Sequence, residues 1–96
     1  MATLYITEYA DIRGNASFVP PVAEQAVVFT TSTQSAAFNA NTRFVRLHTD
    51  AICSIQFGEN PTATTGHARM AINQTEYFAV RHGKATADKV AVVTNT

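Results

Sequence analysis

Charge is what this sequence has least of. Only 15% of its 96 residues are Asp, Glu, Lys or Arg, against about 25% in ordinary soluble domains. Seven basic residues balance seven acidic ones, so the formal net charge is zero. Binding to nucleic acid needs a concentrated basic face to neutralise phosphates, so no nucleic-acid partner is expected. There is one cysteine, Cys53, which excludes an internal disulfide and any multi-cysteine zinc site. The few glycines, Gly14, Gly58, Gly66 and Gly83, nowhere take the spacing of a phosphate loop. No apolar run approaches the roughly 20 residues of a membrane span, and Met1 to Tyr9 lacks a basic stretch followed by an apolar one. Neither a membrane partner nor an export leader is therefore expected, and the protein should be soluble.

Hydrophobic residues make up 46% of the chain, enough for one packed core and a single domain over residues 1–96. With charge scarce, the surface has to be hydroxyl, amide and methyl. Interface centres are depleted in charge, and zero net charge removes the repulsion that keeps monomers apart. Such a surface suits a protein that works in an assembly.

Alternation of period two dominates, and no window of a dozen residues holds a helical stripe. In Thr3 to Tyr9, Leu4, Ile6 and Glu8 share one side, and Tyr5, Thr7 and Tyr9 the other. Ala10 to Glu24 carries Pro20 and Pro21, which cannot donate to a ladder, so it reads as a long loop or extended arm. Gln25 to Thr31 is a second strand. Ser32 to Asn41 reads as a loop with one helical turn around Ala36 to Asn39. Thr42 to Phe57 alternates on both sides of Thr49-Asp50-Ala51 and predicts a hairpin with a loop of three or four residues. Gly58 to Gly66 is a loop, His67 to Ile72 and Thr75 to Arg81 are strands joined near Asn73-Gln74, and Asp88 to Thr94 is the last strand. The pattern predicts an all-β fold, a small β-sandwich or jelly-roll-like domain of about seven short antiparallel strands.

Cys53, His48 and Asp50 lie close in sequence, but alternation places Cys53 beside Ile55 and Phe57, where a thiol behaves as a small hydrophobe. His48, His67 and His82 fall on separate elements, so neither a metal nor another cofactor is expected. Arg43, Arg46, Arg69 and Arg81 are spread over several strands, as solvated faces or interface donors. Among the aromatics, Phe29, Phe57 and Phe78 suit the core, while Tyr5, Tyr9, Phe18 and Tyr77 point outward by phase or position. Aromatic side chains are enriched at interface centres. The Ala10 to Glu24 arm and the Ser32 to Asn41 loop are the segments expected to reach a neighbour, which makes Tyr9, Phe18, Pro20, Pro21 and Phe38 the candidate interaction residues.

The opening MATLYITEYADIRG, the block TRFVRLHTDAICSIQFGENPTAT and the closing run EYFAVRHGKATADKVAVV resemble small virion structural proteins of tailed bacteriophages, of the head decoration or cement type. The likeness runs from Met1 to Val93 and is most specific over Thr42 to Thr64. It implies a non-enzymatic protein, made in the host cytoplasm and placed on the outer surface of the head. Its partners would be the major capsid protein and further copies of itself, as a trimer. Two other classes fit the same sandwich. A tail or fibre module would bind a host-surface glycan, and a small cupin-like enzyme would hold a metal.

Overall fold

The alternation becomes strand phase in the computed structural model, which describes residues 2–9, 22–39, 42–80 and 88–95. Eight strands follow one another: β1 (Ala2–Tyr9), β2 (Ala23–Phe29), β3 (Thr33–Gln34), β4 (Phe44–Thr49), β5 (Cys53–Gly58), β6 (Ala68–Met70), β7 (Thr75–Ala79) and β8 (Lys89–Thr94). They form two four-stranded sheets, a front sheet of order β2-β1-β4-β7 and a back sheet of order β3-β8-β5-β6. Every pairing is antiparallel. Taken cyclically from β2, with β1 last, the order is that of a jelly roll. The fold is the expected all-β sandwich, with eight strands in place of about seven. The additional one is β3, two residues within the stretch expected to be loop.

The two sheets close on Leu4, Ile6, Val27, Phe29, Val45 and Leu47 from the front and Cys53, Ile55, Met70, Val90 and Val92 from the back. Each large aliphatic or aromatic side chain removed from water here contributes about 1.5–3 kcal/mol. Phe57 and Phe78 pack against this cluster from its margin with ring centroids 5.2 Å apart.

The expected hairpin over Thr42 to Phe57 is corrected. β4 pairs with β1 and β7, while β5 pairs with β6 and β8, so the two never meet in a ladder. Alternation sets which face a side chain takes but not which strand lies alongside. The intervening corner is occupied by distant partners. The Thr3 N–H donates to Asp50 Oδ1 at 2.7 Å, the Asp50 N–H to the Thr3 carbonyl at 3.2 Å, and the Asn73 N–H to the Thr49 carbonyl at 2.9 Å. Asp50 to Ile52 therefore carries the chain from one sheet to the other. A second crossing, between β6 and β7, is a turn closed by the Gln74 N–H on the Ala71 carbonyl at 3.1 Å. Asn73 sits there at φ 60, a conformation that Asn tolerates better than most residues.

The helical turn expected at Ala36 to Asn39 is also absent. Its backbone donors are spent elsewhere: Ala36 N–H on Gln25 Oε1 at 2.9 Å, Phe38 N–H on the Asp88 carbonyl at 2.9 Å, and Asn39 N–H on Glu8 Oε1 at 2.7 Å. Glu8 sits on the inner side of β1 and is 1% exposed. Its carboxylate also accepts from the Thr42 hydroxyl at 2.8 Å and the Gln25 amide at 3.3 Å. One buried acid thus joins β1, β2 and the segment entering β4, and its charge is met by donors.

Candidate interaction face

The outer sides of the two sheets differ. On the back sheet, the outward residues Ala91 and Ser54 are fully buried. They lie under residues 59–67, which leave β5 and return to β6 across the sheet. Pro61 and Ala63 of this strap are buried too. It is fastened at the far edge, where Gln34 Nε2 donates to Asn60 Oδ1 at 2.8 Å and to the Pro61 carbonyl at 2.9 Å, and the Ala63 N–H donates to Ser32 Oγ at 2.9 Å. Asn95 Nδ2 bridges the Ser54 hydroxyl at 2.7 Å and the Thr65 carbonyl at 3.4 Å.

The front sheet has no such cover among the described residues. Register fixes its outward rows, because residues opposite one another in antiparallel strands point to the same side. One row runs Ala26, Tyr5, His48, Thr75, and the next Glu24, Thr7, Arg46, Tyr77. Tyr5 and Tyr77 are each 47% exposed and Val28 is 48% exposed. Tyr5 and His48 lie with ring centroids 6.4 Å apart, and His48 Nδ1 shares a 2.7 Å hydrogen bond with Thr75 Oγ1. This is a sparsely charged surface of tyrosine, threonine, alanine and valine, and its exposed tyrosines and scarcity of charge are features it shares with interface centres.

The residues singled out from sequence are dispersed. Phe18, Pro20 and Pro21, with most of the Ala10 to Glu24 arm, lie outside the described residues. Tyr9 has the outward phase expected of it, opposite Phe44, but is largely buried. Phe38 is a core residue, its ring 6.4 Å from that of Phe57. The described part of the loop that carries it, Ser32 to Asn39, folds back onto β8 and β2. Phe38 therefore closes one end of the sandwich and does not reach outward. Val28, Arg46 and Glu24 belong to the open face: the strand phase of Val28 was the signal that could have found it, Arg46 was read among the solvated or interface donors, and Glu24, placed at the end of the arm, is instead part of β2, which begins at Ala23.

Cys53, His48 and Asp50 are not brought into one site. The thiol is in the core, where burial pushes its pKa up against smaller opposing effects of the Thr49 hydroxyl and the Met70 backbone. The imidazole of His48 lies on the outer front face and the carboxylate of Asp50 at the crossing beside Thr3. Among the described residues no three His, Cys, Asp or Glu side chains are grouped so that they could hold a metal. A cavity of about 400 Å³ opens between the sheets at Phe57, Phe78, Val80 and Asp88. Its lining is mostly apolar, with Asp88 as the one acidic residue. No known protein family, curated protein or solved structure matches the chain.

Proposed function

We propose that this protein is a structural component of a phage virion, a decoration or cement protein that binds the outside of the head lattice and stabilises it. The open front face is the observation that supports this reading. A sheet that leaves two tyrosines and a valine half exposed, in a chain with so little charge, is suited to being covered by protein. The residues quoted above for the phage resemblance agree with it. The mechanism is mechanical. Copies of the chain associate with one another and with the major capsid protein, and linked weak contacts hold neighbouring capsid subunits through avidity.

Mass spectrometry of purified virions, followed by localisation in an electron-microscopy map, tests the proposal. The expected result is a stoichiometric protein on the outer head surface. Its absence from purified particles overturns the proposal, whereas a place on the tail instead of the head, with saccharide binding by the isolated chain, favours the tail or fibre class.

A further inference from the structure

The open face carries two opposite charges, placed symmetrically. Glu24 on β2 and Arg46 on β4 lie in one row, each the direct neighbour of Thr7 on β1 between them. Their backbones are therefore about 10 Å apart, twice the strand spacing, on either side of a central strand. Neither forms an ion pair or a side-chain hydrogen bond among the described residues. The next row repeats the geometry without charge, with Ala26 and His48 flanking Tyr5.

We propose that this face packs on the same face of a second copy, with a two-fold axis in the interface plane running along β1. That operation sets the β2 side of one copy over the β4 side of the other. Glu24 then meets the partner's Arg46, and Arg46 meets the partner's Glu24. Thr7 faces the partner's Thr7, and Tyr5 faces the partner's Tyr5. The contact is isologous and closes on itself, in the aligned arrangement of stacked sheets. A two-fold axis running across the strands instead sets β2 over β2 and β4 over β4, which leaves both charges without an opposite. Charge complementarity selects the first axis, and it selects a second copy as the occupant because one chain supplies both halves of each pair. The inference rests on reading the front face as an assembly surface, whatever else the assembly contains. It makes the unit a dimer, where the phage resemblance implies a trimer.

Sedimentation equilibrium of the full chain over a range of micromolar concentrations is the test, with circular dichroism to verify folding of each variant. The wild type should be a dimer. Glu24→Arg and Arg46→Glu each set like charges together at two places, and each should weaken dimerisation by about tenfold or more. The double variant Glu24→Arg/Arg46→Glu restores both pairs with their signs exchanged and should return to within about threefold of the wild type. A wild type that stays monomeric or forms trimers overturns the proposal. So do folded single variants that dimerise normally, or a folded double variant as weak as the singles. A dimer that is missing from purified virions leaves this inference standing and removes the virion reading.

Discussion

Ala91 and Ser54 on the outer side of the back sheet are small and wholly buried under the strap, whereas Tyr5, Val28 and Tyr77 on the outer side of the front sheet are large and about half exposed. The difference follows from side-chain size. A strand with alanine and serine facing out lets another backbone approach closely, and the strap has filled that space with Pro61 and Ala63. Tyrosine and valine hold a backbone off, and among the described residues no segment crosses over them. Among the described residues the chain thus covers one of its two sheets and leaves the other open.

A matched pair of alanines breaks this contrast most sharply. Ala91→Glu puts a carboxylate beneath the strap with no partner and should cost about 3 kcal/mol or more in chemical denaturation. Ala26→Glu, at the equivalent outward phase of the front sheet, should stay within about 0.5 kcal/mol when measured at concentrations low enough to avoid association. Equal costs at the two positions would show that the faces are not distinct.

Cys53, on the inner side of the strapped sheet, sharpens the comparison through pH. Its pKa is raised in the folded state by burial, so the folded protein retains the thiol proton where the unfolded chain loses it. The stability this provides is fully present below the free thiol value of about 8.5 and is lost as pH rises from there through the folded pKa. Between pH 8 and pH 10 the wild type should lose stability more steeply than Cys53→Ala, by at most about 1.4 kcal/mol per pH unit. Parallel curves would place the thiol in water. Native protein should likewise react slowly with a thiol reagent and rapidly once denatured.

The smallest expected effect is at the strap's fastening. Gln34→Ala removes the two donations to Asn60 and Pro61 and should cost about 1 kcal/mol or less, because the site is partly exposed. It should also hasten proteolytic cleavage within residues 59–67. An unchanged cleavage rate would mean that burial of Pro61 and Ala63 alone holds the strap in place.

Local features of the sequence were enough for some of this and not for the rest. The phase of Thr3 to Tyr9 put Leu4 and Ile6 inward and Tyr5 outward, as found, and Asp88 to Thr94 nearly coincides with β8. Pairing was harder to read. Val45 and Leu47 followed by Cys53 and Ile55 look like two arms of a hairpin, and contacts remote in sequence, among them those of Thr3 and Asn73 at the corner, hold them in different sheets. The segment around Phe38 resembled a polar surface loop because the acceptors that fix it, on Glu8, Gln25 and Asp88, come from β1, β2 and the residue that precedes β8. Of the candidate face, the outward tyrosines were legible. That the opposite face would be roofed was not, since Gly58 to Gly66 gives no local sign of where it lies.

Glu8 has a consequence for folding as well as for the folded state. Strand pattern has a period of two, so sliding β1 by two residues along β2 and β4 would keep Leu4 and Ile6 inward and would pass any test of hydrophobic alternation. The carboxylate does not pass that test. Slid by two positions, it leaves the Asn39 N–H, the Thr42 hydroxyl and the Gln25 amide without their acceptor, and carries a bare charge between the sheets. A residue that looks out of place at the end of an apolar stripe therefore acts as the index mark by which the first strand finds its one correct alignment.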